Sequence, residues 1–109
     1  MNNNGTIDAD INYIKERIPI EDLYNCLAEE AAELSSAASK LLRITRGINP
    51  TSKSAQEVYA NLIEEFTDVL LIARDMLELD EDKIRREWKL SEWHKRIDER
   101  SDLNEQQYQ

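Results

Sequence analysis

This 109-residue chain predicts an all-α fold, an antiparallel bundle of about four helices. Three observations carry that expectation. Apolar residues recur at steps of three and four over two long stretches. Gly and Pro number only two each, and Pro19, Gly47 and Pro50 fall at the ends of those stretches. No segment alternates apolar and polar residues well enough to make a strand.

The elements follow in chain order. A short first helix is expected over residues 8–17, docked by Ile7, Ile11 and Ile14. Pro19 suits the first turn of a long second helix over 19–45. Ile20, Leu23, Tyr24, Leu27, Ala31, Leu34, Ala38 and Leu41 make its apolar stripe. Gly47, Asn49 and Pro50 then break the pattern, with Thr51, Ser52 and Ser54 as candidate caps. Ser54 and Glu57 have capping-box spacing. A third helix over 54–79 carries Ala55, Val58, Tyr59, Leu62, Phe66, Val69, Ala73, Met76 and Leu77 on one face. Asp80 is the expected cap of a fourth helix over 81–100. That helix has two apolar faces, Ile84 with Trp88, and Leu90 with Trp93 and Ile97, as if for two neighbours. The expected organisation is a flexible start (1–7), one helical domain (8–100) and a polar flexible tail (101–109). A domain this small buries a limited core, so oligomerisation is expected to complete it.

Composition narrows the function. The formal net charge is −9, which repels nucleic-acid phosphates and anionic lipid. Neither a nucleic-acid polymer nor a membrane is therefore an expected partner. No apolar run approaches the ~18–20 residues of a membrane span, and no signal peptide opens the chain. Cys26, the one cysteine, cannot form an intrachain disulfide and fits a reducing, cytoplasmic setting. It reads as a packed small side chain.

Two acidic clusters share one phase. LAEEAAEL (27–34) and LIEEFTDV (62–69) both read as L-x-E-E-x-x-acid-aliphatic. With ~100° per residue, Glu30 lies ~60° from Leu27, Glu33 ~120° on the same side and Glu29 ~160° away. Measured from Leu62, Glu65, Asp68 and Glu64 repeat those angles. In an antiparallel hairpin, facing flanks would gather four carboxylates at a core edge. Four like charges there raise one another's pKa unless a cation neutralises them, and an all-oxygen donor set favours Mg²⁺ or Mn²⁺ over zinc. A ferritin-like di-iron site needs Glu-x-x-His on two helices, whereas His94, the one histidine, follows Ser91 at that spacing. The plain alternative is a solvated helix face, on which paired glutamates are common.

Glu29-Glu30-x-x-Glu33 followed by Glu65-x-x-Asp68 resembles the EExxE, spacer, ExxD signature of the MazG-like, all-α nucleoside triphosphate pyrophosphohydrolases. The resemblance runs from about Leu23 to Arg96. LLRITRGINPT followed by LIEEFTDVLL is most similar to the short phage and Gram-positive members. It implies Mg²⁺-dependent hydrolysis of a nucleoside triphosphate to the monophosphate and pyrophosphate, as nucleotide-pool housekeeping. It further implies Glu30, Glu33, Glu65 and Asp68 as metal ligands, Glu29 and Glu33 as candidate catalytic groups, and a homodimer or homotetramer. Lys89 and Arg96 match basic positions of the family's last helix, and Trp93 stands where an Asn is usual. Lys40, two turns beyond Glu33 on the carboxylate flank, is a further phosphate candidate. Seven of the 14 Lys and Arg lie between Lys83 and Arg100, in reach of phosphates or simply paired along a solvated helix. Trp88, Trp93, Tyr24 and Tyr59 could stack on a base or pack in a core or interface. The competing expectation is a catalytically weak or inactive helical oligomer of the same scaffold that binds a partner.

Overall fold

The computed structural model describes residues 4–48 and 53–107. Four α-helices and one π-helical segment make up most of them, with no strand among the described residues. Helix α1 spans Asn4–Arg17, α2 Ile20–Thr45, α3 Ala55–Leu70 and α4 Lys83–Gln107; Leu71–Met76 form the π segment. The expected features at Asn49, Pro50, Thr51 and Ser52 lie outside the described residues. The chain falls into two compact units, Met1–Leu79 and Asp80–Gln109. Among the described residues no helix is long and apolar enough to cross a membrane.

Local chemistry explains the ends of α2 and α3. Pro19 precedes α2 with φ −58° and ψ 147°, and its carbonyl accepts from the backbone N–H groups of Asp22 and Leu23 at 3.0 and 3.2 Å. At the far end, Gly47 has φ +74°. Its N–H donates to the Ile44 carbonyl at 3.0 Å, and that of Ile48 donates to Arg43 at 2.9 Å. This is a Schellman closure, and the left-handed residue within it favours glycine. Ser54 caps α3 as its spacing suggests, its hydroxyl accepting from the Glu57 N–H at 3.2 Å.

In the first unit α2 and α3 form the hairpin. On α2 Leu23, Leu27, Glu30, Leu34, Ala37, Leu41 and Ile44 are buried or half-buried at alternating steps of four and three, and Cys26 is half-buried beside Leu27. On α3 the buried or half-buried positions include Val58, Leu62, Glu65 and Val69, flanked by Asn61 and Asp68. That is a seven-residue seam of the coiled-coil kind. Glu30 meets Glu65, and Lys40 shares a cavity with Val58 and Asn61, so the helices run antiparallel.

This seam is rotated from the expected stripe. Ile20, Tyr24, Ala31, Ala38, Ala55, Tyr59 and Phe66, expected in the core, are exposed. Glu30 and Glu65, expected at its edge, lie inside the seam. The apolar stripe of each helix is wider than one partner can cover, and each partner takes the carboxylate side. Only Leu23, Ala37, Val58 and Met76 are buried hydrophobic residues among those described. The first helix contacts the π segment, its Ile11 and Ile14 are half-buried, and Lys15 pairs with Glu78, just beyond that segment, at 2.8 Å. It begins at Asn4, four residues before the expected start.

The second unit is α4. Asp82, and not Asp80, supplies the cap: its carboxylate accepts from the N–H groups of Ile84 and Arg85 at 3.0 and 3.2 Å. Asp80 accepts only from the adjacent Glu81 N–H. The helix continues to Gln107, through most of the stretch expected as a flexible tail. Arg85 pairs with Asp82, Arg86 with Glu81 and His94 with Asp98. Its described apolar side chains are exposed, Ile84 at 80% and Trp88 and Trp93 at 62% each.

The hairpin closure is testable. Gly47→Ala forces a Cβ into the left-handed region and is expected to cost about 1–2 kcal/mol. Ser54→Ala removes the cap and is expected to cost about 1 kcal/mol. Urea denaturation followed by circular dichroism reads both.

Candidate metal centre

Glu30, Glu33 and Glu65 each offer a carboxylate oxygen within 4.8 Å of the other two. Two come from α2 and one from α3, at the level where the seam positions of the hairpin are acidic. The seven-residue period explains the meeting. Glu30 and Glu65 hold seam positions that Leu27, Leu34, Leu62 and Val69 hold on either side. Glu33, one turn beyond Glu30, stands on the exposed rim above them.

The electrostatics follow from that placement. Glu30 is pushed up from the ordinary 4.5 first by loss of solvent, then by the charges of Glu33 and Asp68. Glu65 is pushed up by loss of solvent, by a hydrogen bond with Glu33, and by the charges of Glu33, Asp68 and Glu30. When protonated, Glu30 and Glu65 each donate toward Glu33, which favours their neutral forms. One oxygen of each, Oε2, is buried without a hydrogen-bond partner. Buried carboxylate oxygens are normally satisfied, so this pair needs an explanation.

A divalent cation suits these oxygens. Neighbouring oxygens around Mg²⁺ stand about 2.9 Å apart and opposite ones about 4.1 Å, so three oxygens spread over up to 4.8 Å would have to draw together through rotamer changes to share one ion. The donors are all hard oxygen, and the two orphaned atoms have lone pairs to give.

The other sequence-predicted residues are placed as follows. Asp68 is half-buried and acts on both Glu30 and Glu65 through its charge, outside the group of three. Glu29 is exposed, its Oε1 accepting from the Asn25 amide at 3.2 Å, and it contributes the weakest of the charges acting on Glu30. Lys40 lies on α2 in the same unit, beside Asn61 and Lys53. Lys89 and Arg96 line a groove on α4 with Trp88 and Glu92, and Trp93 is not part of it. These α4 residues belong to the second unit. Sequence reasoning missed Lys53 and Asn61. The signal for Asn61 was its position seven residues before Asp68, which sets it on the same flank.

The raised carboxylates give a pH prediction. A folded-state pKa above the unfolded value means that the folded chain binds protons more tightly. Without divalent ions, stability should therefore fall as pH rises from about 4.5 through the raised values, then level off. Glu30→Gln and Glu65→Gln should flatten this loss and melt above the parent at pH 7 in a chelator. Thermal melts from pH 4 to 8 check it.

No protein-family model matches the chain, and neither a curated protein nor a solved structure does.

Proposed function

We propose that the chain is a nucleoside triphosphate pyrophosphohydrolase, dependent on Mg²⁺ or Mn²⁺. One observation carries the reading: two seam glutamates from different helices present buried, unpartnered oxygens beside a third carboxylate. A pair of leucines would stabilise the hairpin better, so the acids are placed for a ligand. The resemblance of EExxE and ExxD to the MazG-like signature then names the ligand and the substrate class.

In this reading Glu30, Glu33 and Glu65 hold the cation, with Asp68 adding charge and a further oxygen. Bound there, the ion offsets triphosphate charge and makes a water more nucleophilic. An acidic chain can thus accept an acidic substrate, because the local sign is reversed. The water oxygen bonds to the α-phosphorus, and the bond to the α,β-bridging oxygen breaks. Pyrophosphate leaves with that oxygen, and the nucleoside monophosphate remains. Glu33, exposed on the rim beside the other two, accepts the water proton. Glu29, held by Asn25, fits less well as the base and is placed to orient an outer water. By the resemblance alone, Lys89 and Arg96 are candidate phosphate contacts and Trp93 a candidate substrate contact, in a cytoplasmic enzyme.

Self-association belongs to the same proposal. Tyr24 and Leu42 of α2, and Tyr59, Ile63 and Phe66 of α3, are exposed large apolar side chains of the hairpin. Such surface is characteristic of an interface, and a second copy of the chain is the proposed cover. The same surface is what a catalytically inactive, partner-binding module would present, so turnover decides between the two readings.

Incubation with a panel of nucleoside and deoxynucleoside triphosphates plus Mg²⁺ should yield monophosphate and pyrophosphate. Glu30→Gln and Asp68→Asn should each lower kcat at least ~100-fold, as loss of charge stabilisation at a reacting centre does. Wild type without turnover on any nucleotide refutes the enzyme reading. In sedimentation equilibrium the chain is expected at two or four times its own mass, and Tyr59→Glu with Phe66→Glu is expected to leave a helical monomer.

A further inference from the structure

Lys40, Lys53, Val58 and Asn61 line a second cavity in the hairpin, of about 110 Å³. It lies toward the connection between α2 and α3, and the triad does not include any of its residues. Its direction from the triad follows from helix geometry. Lys40 is seven residues beyond Glu33, and Asn61 is seven before Asp68. Seven residues make two turns to within ~20°, a rise of about 10 Å. The amine and the amide therefore stand on the carboxylate flank, displaced along the hairpin. Asn61 is one turn, about 6 Å, from Glu65.

The lining has the chemistry of an anion site. Two ammonium groups and an amide supply donors around buried Val58. Ser54, next to Lys53, caps α3, so the positive end of that helix's dipole lies at the same place. The charges that raise Glu30 and Glu65 are those of other carboxylates. An acidic flank thus ends in a cationic pocket two turns away.

We propose that Lys40, Lys53 and Asn61 seat the terminal phosphates of the triphosphate, which sets the polarity of the substrate along the hairpin. This rests on the pyrophosphohydrolase reading. The α-phosphate lies at the carboxylates, the β- and γ-phosphates point toward the end of α2 and the start of α3, and the nucleoside lies toward Asp68. The pocket then holds the pyrophosphate leaving group, so pyrophosphate competes with substrate. Nucleoside monophosphates do not reach it.

The test uses the full chain and inorganic tripolyphosphate as probe. Lys40→Gln and Lys53→Gln should each weaken tripolyphosphate binding in calorimetry, and raise KM for the triphosphate, about ten-fold, the usual effect of losing one charged hydrogen bond. Both variants should keep the wild-type Mg²⁺-induced rise in melting temperature and wild-type affinity for a nucleoside monophosphate. Unchanged tripolyphosphate affinity in the double variant, or an equal loss of monophosphate affinity, overturns the pocket. If wild type turns over triphosphates and the double variant matches its KM, the pocket falls and the hydrolase reading stands. Lysine-dependent tripolyphosphate binding by a wild type that hydrolyses nothing supports the pocket as an anion site and overturns the hydrolase reading.

Discussion

Like-charge repulsion inside the α2–α3 seam is the constraint on which the first unit is built. Glu30 and Glu65 occupy seam positions of a hairpin whose remaining seam is largely Leu, Val, Ala and Ile. Burial and their neighbours both disfavour their ionised forms. Breaking the apolar run at that level weakens the packing that should hold the helices together. The closure of the hairpin therefore leans on its loop end, where the Gly47 turn ends α2 and the Ser54 cap starts α3. It also leans on the α1 and π-segment contacts at the other end. Proton binding, or the proposed cation, relieves the strain between those anchors.

Much of the site was legible because helical phase is a property of sequence. The repeat of L-x-E-E-x-x-acid-aliphatic placed Glu30, Glu33, Glu65 and Asp68 on one flank before any packing was known. The direction in which each helix would roll was not legible. Both apolar stripes are broad, and residue spacing alone cannot say which half of a broad stripe meets the partner. The helices rolled toward the acids, which moved Glu30 and Glu65 inward and left Tyr24, Tyr59 and Phe66 outside. The helix ends show the same limit at smaller scale. Ser54 has a capping box and was readable, whereas Asp80 and Asp82 are equally good caps by type, and only backbone geometry selects Asp82. The tail carries no breaker between Arg100 and Gln107, so polarity alone was a poor sign of its end.

The distribution of charge is orderly despite the net −9. On the hairpin flank, cations stand at the connection end and carboxylates beyond them, which gives that groove a direction. On α4, Arg85, Arg86 and His94 pair with acids of their own unit, while Lys89 and Arg96 line one groove with a tryptophan. Each unit thus carries basic side chains on one face and exposed apolar side chains on another.

The π segment sets where the acidic row stops. In an uninterrupted α-helix Asp75, seven residues after Asp68, would continue the same flank. The π turn carries an extra residue, its Leu77 N–H reaching back to the Ile72 carbonyl at 2.9 Å. One extra residue swings the chain by about a third of a turn, on the α-helical scale of ~100° per residue. Asp75 leaves the row. A local change of helix pitch thus sets the length of the acidic flank, ending it at Asp68 where an unbroken helix would carry it two turns further.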